Sequence, residues 1–181
     1  MIFRETKLNG AFIVDVETLE DERGFFARTW CRQEFAARGL APDLAQCSIS
    51  FNHKAGTLRG MHYQIAPHRE AKLVRCTAGA IYDVIVDLRR NSPTFGDWTA
   101  VELTSRNHRM IYVPEDFAHG FQTVEKNTEV FYQMSESYAP QFARGIRWDD
   151  PMFGIQWPAA DRTISIRDAS YSDFTPDTTE L

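Results

Sequence analysis

The chain is poor in cysteine, and the few it has do not pair. Cys31, Cys47 and Cys76 are an odd three with no C-x-x-C spacing, which excludes a disulfide framework and a thiolate metal cluster. They read as reduced thiols of a cytoplasmic protein. A basic surplus is also missing. Twenty Lys and Arg against twenty-five Asp and Glu leave a net charge of −5, which argues against nucleic acid as a partner. No apolar run approaches the ~20 residues that span a bilayer. The first ten residues carry Arg4, Glu5 and Lys7 and no apolar stretch of the kind a signal peptide needs. No membrane partner is therefore expected, and localisation is expected to be cytoplasmic. The chain lacks a G-x-S-x-G nucleophile elbow and a phosphate-cradling glycine loop. It lacks a His-x-His pair as well: two residues after His62 stands Gln64, and His119 alone cannot complete a ligand set, so no metal is expected.

What is present is an ordinary globular composition, 43% hydrophobic and 25% charged over 181 residues, which suits one domain with a substantial core. One segment reads as helix, Arg32 to Gly39, with glycine at the C-terminal stop. The remainder is short, β-branched or aromatic, and punctuated by Gly, Pro, Asn and Asp. Strands are predicted at Ala11–Glu17, Gly24–Trp30, Ala45–Asn52, Gly56–Gln64, Ala71–Thr77, Ala80–Leu88, Trp98–Thr104, Met110–Pro114, Gly120–Val124 and Thr128–Tyr138. So many strands without intervening helices predict an all-β antiparallel sandwich or barrel. Residues 1–168 form the expected domain and 169–181 a tail rich in Ser, Thr and Asp, frayed at its end.

Several strands carry charge on a face that should be core. Alternation puts Asp83 and Asp87 with Ile81 and Ile85, Lys72 with Val74 and Cys76, and Tyr132 with Val130 and Met134. An inward charge is costly unless it is paired or lines a cavity. With His62 counted in, these residues point to a β-lined interior that admits a ligand. Arg59 and His62, three apart, would fall on opposite faces of a regular strand, but Gly60 between them supplies a bend or bulge. Read alone, His62 is structural, Tyr132 and Tyr138 are ordinary strand aromatics, and Arg144, Arg147, Asp149 and Asp150 form a salt-bridged turn. Read together, a histidine, a tyrosine, a lysine and carboxylates around one cavity suit proton transfer at carbon.

The ordered runs Asp21-Glu-Arg-Gly-Phe-Phe26, Thr57-Leu-Arg-Gly-Met-His-Tyr-Gln64, Lys72-Leu-Val-Arg75, Asp87-Leu-Arg89 with Ser92-Pro-Thr-Phe-Gly96, Pro114-Glu-Asp-Phe-Ala-His-Gly-Phe121 and Arg144-Gly-Ile-Arg-Trp-Asp-Asp-Pro151 resemble the dTDP-4-dehydrorhamnose 3,5-epimerase family. The resemblance covers roughly residues 1 to 168. It implies a cupin-type jelly roll with one or two short helices, a homodimer with exchanged N-terminal strands, and chemistry without metal or cofactor. By position, His62 resembles the base that takes the proton alpha to the C4 ketone of a nucleotide-linked 4-keto-6-deoxyhexose. Asp168 resembles the carboxylate that orients it, Tyr132 the acid on the other face, and Lys72 the group beside the C4 oxygen. Asp83 is read from the strand pattern as the partner of Lys72. Arg23, Arg59 and Arg167 resemble diphosphate and sugar contacts, as guanidinium forks suit phosphate. His119 resembles a sugar-side contact. Tyr138, with the partner subunit's Phe26, resembles the pair that stacks on the base.

The sequence departs from the family pattern at Arg28, Cys47, Ser48, Ile49 and Ala143, all expected at the nucleotide end. Lost hydrogen-bonding partners relax base choice, so a CDP- or GDP-linked sugar, or inversion at C3 or C5 alone, stands as an alternative. A non-catalytic sugar-nucleotide binder and a ketoisomerase are the rivals from other classes.

Overall fold

The computed structural model describes residues 1–176. Two antiparallel sheets face each other. The first runs β1 (Ile2–Glu5), β2 (Phe12–Asp15), β10 (Met110–Val113), β7 (Lys72–Ala78), β12 (Thr128–Met134), β5 (Gln46–Asn52). The second runs β13 (Ala143–Gly145), β6 (Leu58–Gln64), β11 (Phe117–Thr123), β8 (Ala80–Asp87), β9 (Trp98–Thr104). A hairpin of β3 (Thr18–Asp21) and β4 (Gly24–Ala27) stands apart from both sheets. Two short helices complete the elements, α1 (Arg32–Ala36) and α2 (Ile166–Ala169). Strands distant in sequence lie side by side, as a jelly-roll sandwich requires.

Alternation along β8 builds the layers. Ile81 and Ile85 turn into the space between the sheets, where they meet Val74 and Cys76 of β7, Val130 of β12 and Phe121 of β11. Val84, Val86 and Leu88 turn the other way and are covered by Phe153, Ile155, Trp157 and Phe174. The outer face of the six-stranded sheet is closed by α1, whose Phe35 packs with Met1, Val14, Leu73 and Met110. Among the polar members of the same strands, Asp83 is wholly buried between Ile81 and Ile85, Tyr132 packs against this core, and Lys72 and Tyr132 line a cavity.

Elements that differ from expectation do so for local reasons. Gly39, left-handed at φ +69°, ends the α1 segment, but the helix proper stops at Ala36 and only turns follow. β12 ends at Met134, not Tyr138, because Ser135 binds back to Ala71 through both its amide and its hydroxyl. β4 ends at Ala27 instead of Trp30, and β11 begins early, at Phe117, where it pairs with Asp87 of β8. β1, β3, β13 and α2 were not expected. All of β3 is exposed, β13 has three residues, and α2 has four with Ile166 exposed, so none carries a hydrophobic period. Past Asp168 the chain stays on the sandwich, where the Phe174 amide donates to Asp150. The expected fraying at 177–181 lies outside the described residues.

Candidate active site

The site is made possible by one irregularity in β6. Its pairing with β11 matches His119 to His62 but Phe121 to Arg59, so three steps on β6 face two on β11. The extra residue is a bulge. At its centre Gly60 sits at φ +118°, and a Cβ there would lie 2.6 Å from the Gly120 Cα. Only glycine permits that conformation and that approach. The bulge turns both Arg59 and His62 toward a cavity of about 500 Å³ between the open ends of the sheets.

His62 is anchored from the far end of the chain. Ser165 caps α2 by accepting from the Asp168 amide, and the helix turn aims the Asp168 side chain at β6. Asp168 Oδ1 lies 2.8 Å from His62 Nε2, and Oδ2 accepts from the Gly60 amide at 3.3 Å. Burial pushes the carboxyl pKa up, but the hydrogen bonds from His62, Gly60 and Ser165 outweigh it and hold the pKa below its ordinary value. An ionised Asp168 accepts a hydrogen bond from Nε2–H, which leaves the lone pair on Nδ1.

The opposite wall comes from the six-stranded sheet. Tyr132 lines the cavity from β12, with its ring 6.0 Å from that of His119 in an edge-to-face contact. Burial, reinforced by the charge of Asp83, drives its phenol pKa well above the usual value, so Tyr132 stays protonated at neutral pH. Lys72 also lines the cavity. Its ammonium pairs with Glu70 Oε1 at 3.0 Å and donates to the His62 carbonyl at 3.2 Å. Those two acceptors use two of its three N–H donors and leave the third for a ligand oxygen.

Asp83 corrects the sequence expectation. It is wholly buried on β8, behind the cavity wall, and its partner is His119, Nε2 to Oδ2 at 2.8 Å, not Lys72. Bulges and long side chains decide such pairings, which strand alternation cannot resolve. Burial pushes the Asp83 pKa up, against the pull of His119 and Lys72. Arg23 and Phe26 also stand elsewhere than in their own chain's cavity. Both lie on the projecting β3–β4 hairpin, with the Arg23 side chain 85% exposed and paired to Asp21, and Phe26 72% exposed. Arg59, His119, Tyr138 and Arg167 all line the cavity. Tyr138 does so from the loop beyond β12, with its amide bound to Gln46. Arg147 pairs with Asp149 and Asp173, as a salt-bridged turn would, but Arg144 faces the cavity.

Three residues that sequence reasoning did not assign support this arrangement. Glu70 shares the buried pair with Lys72, and its place two before an inward lysine was the available signal. Asn52, at the end of β5, accepts from Arg59 Nε at 2.8 Å. Gln64 stands where a metal ligand would, and instead ties down the Tyr138 loop: its amide donates to Ser137 and its carbonyl accepts from Ala139. Of the departures from the family pattern, Ser48 and Ala143 line the cavity. Ile49 is exposed at 63%, and Arg28 pairs with Glu34 on the outside.

Comparison with known proteins identifies the family. The model of the family described as dTDP-4-dehydrorhamnose 3,5-epimerase matches residues 5–175. A dTDP-4-dehydrorhamnose 3,5-epimerase of Methanothermobacter thermautotrophicus is 42% identical over 172 residues, 93% of this chain and 92% of that protein. The crystal structure of the enzyme of that name from Elizabethkingia anophelis superposes with a TM-score of 0.94 at 35% identity, over 98% of each chain. A Legionella pneumophila epimerase, solved in complex with dTDP-4-keto-L-rhamnose, gives 0.89 at 31% identity over 98% of this chain and 93% of that one. With a matching model along almost its whole length and relatives this similar, the chain belongs to the dTDP-4-dehydrorhamnose 3,5-epimerase family.

Proposed function

We propose that the protein epimerises a dTDP-linked 4-keto-6-deoxyhexose by proton transfer between His62 and Tyr132. The observation that carries this is the convergence, on one cavity, of a carboxylate-oriented imidazole and a phenol held protonated on the facing sheet. The C4 ketone acidifies the carbons beside it. His62 Nδ1 accepts the proton from one face of such a carbon, and the electron pair moves onto the C4 oxygen. Lys72 holds the resulting enolate oxygen with its remaining N–H. Collapse of the enolate draws the Tyr132 proton onto the opposite face, which inverts the centre. The imidazolium and phenolate then reset by exchange with solvent. Asp168 stabilises the imidazolium, so no cofactor is called for. Arg59 and Arg167 meet the diphosphate and His119 the sugar.

The base end is completed by a second subunit in this reading. Tyr138, 54% exposed at the cavity, offers one stacking face, and the partner subunit's Phe26 offers the other. The exposure of Leu19, Phe25 and Phe26 on the projecting hairpin supports such a homodimer. In the single chain β1 pairs with its own β2, and the β3–β4 hairpin pairs with neither sheet.

Incubation with dTDP-4-dehydro-6-deoxyglucose in deuterated water, followed by NMR, tests the reading. Deuterium entry at C3 and C5 with formation of the L-configured product is expected, and a substrate that keeps its protons overturns it. Exchange at one carbon alone would give the single-centre alternative, which has precedent in the structurally similar 3′-monoepimerase of Streptomyces bikiniensis.

A further inference from the structure

One aromatic ring touches both ends of the site without lining its cavity. Tyr171 follows α2, and its phenol oxygen accepts from Arg167 Nε at 3.1 Å. Its ring lies 6.3 Å from the His62 ring at 72°, edge to face. Beneath it is Gly145, the β13 residue paired with His62. A Cβ on Gly145 would stand 2.3 Å from Cε2 and Cζ of the tyrosine. Gly145 is not among the positive-φ glycines, so its backbone would accept a side chain, and the ring is what excludes one. Arg147 reaches the Tyr171 carbonyl at 3.5 Å and holds the segment in place.

We propose that Tyr171, seated on the bare backbone of Gly145, is a positioning residue for both ends of the site, its ring backing the His62 imidazole and its phenol aiming the Arg167 guanidinium. The inference rests on the epimerase reading for the roles of those two residues. It divides the effects of substitution. Tyr171→Phe keeps the ring and loses the bond to Arg167. Its kcat stays within about twofold, while KM and the Kd for dTDP rise about three- to tenfold, the range of one ordinary hydrogen bond, because Tyr138 still holds the Arg167 guanidinium. Tyr171→Ala also frees the imidazole, and kcat falls by about ten- to a hundredfold. Gly145→Ala displaces the ring and reproduces that fall with the phenol intact. The double variant Gly145→Ala/Tyr171→Ala is no worse than either single one, because the alanine then fills vacated space.

The tests are steady-state kinetics, calorimetric titration with dTDP, and the proton NMR signal of the His62 Nε2–H bonded to Asp168. That signal is expected to persist in Tyr171→Phe and to shift or broaden in Tyr171→Ala and Gly145→Ala. Equal kcat in the Phe and Ala variants, unchanged dTDP affinity in the Phe variant, or additive losses in the double variant overturns the proposal. Should Tyr171→Ala fail to fold, Tyr171→Phe and Gly145→Ala decide it. A wild-type enzyme without deuterium exchange would sink the epimerase reading instead, and dTDP affinity with the His62 signal would still judge Tyr171.

Discussion

His62 Nε2 and Asp168 Oδ1 lie 2.8 Å apart although 106 residues separate them in the chain. The contact decides which imidazole nitrogen carries the proton. Asp168→Asn keeps the shape but can present an amide N–H to Nε2, which reverses the tautomer and leaves Nδ1 without its lone pair. The expected loss in kcat is about 10²- to 10⁴-fold, the range for misassigned tautomers and lost general-base catalysis. Deuterium exchange at C3 and C5, measured with the fold checked by circular dichroism, tests it. Exchange at the wild-type rate would remove Asp168 from the mechanism.

The same carboxylate ties stability to pH. Its folded pKa is depressed, so the stability it contributes is complete above its unfolded value of about 3.9 and fades as pH falls through the lower folded value. Thermal melting of wild type and Asp168→Asn between pH 2 and 6 is expected to converge toward the acid end and to separate above it. Parallel curves throughout would contradict the assignment.

Tyr132 acts after the base in the proposed sequence. Tyr132→Phe keeps the ring against His119 and removes only the proton donor. Deuterium exchange through His62 is expected to outlast inversion, whose rate falls by about 10² or more. An unaltered rate of inversion would exclude the phenol as the acid.

How much of this could be read in advance follows from where the information lies. β8 is legible because its run of β-branched residues is buried on both faces, β9 because Val101 and Leu103 are buried on either side of exposed Glu102, and the inward lysine of β7 already marked a cavity wall. The ordered motifs around His62 and His119 pointed to the family. The Asp83–His119 pairing was not legible, because strand pattern fixes a face and not a partner across a bulge. Likewise α2 has no hydrophobic period: its one buried residue is Asp168, so the helix exists to aim a carboxylate rather than to fill a core. The hairpin holding Arg23 and Phe26 is exposed on one chain, and a single sequence holds no geometry for a second.

Lys72 and Glu70 are each about one-tenth exposed, so neither charge can be removed alone without cost. Lys72→Met leaves the Glu70 carboxylate buried and unpaired, and stability is expected to fall by about 3–5 kcal/mol. The double variant Lys72→Met/Glu70→Leu replaces the pair by apolar contacts and recovers most of that loss. Activity stays absent in both, because the enolate oxygen has lost its donor. Denaturant unfolding and exchange kinetics on the two variants separate the roles. An active double variant would show that Lys72 serves only the fold.

Gly60 is the hinge on which the site geometry turns. Gly60→Ala must place a methyl 2.6 Å from the Gly120 Cα and 2.8 Å from the His119 carbonyl oxygen, at φ +118°. Neither neighbour is a flexible side-chain end, and the conformation itself costs an L-residue about 1–3 kcal/mol. The strand is expected to relieve the clash by losing the bulge. Arg59 and His62 then return to opposite faces, and one of the two leaves the cavity. The variant should fold with a lowered melting temperature, and either dTDP affinity or proton exchange should fall about 10²-fold or more. Gly120→Ala meets the same obstruction from the facing strand, with Met61 Sδ at 2.6 Å and the Arg59 carbonyl at 2.7 Å, and should show the same pair of losses. A Gly60→Ala enzyme that binds dTDP and exchanges protons as the wild type does would mean that the bulge is incidental to the site.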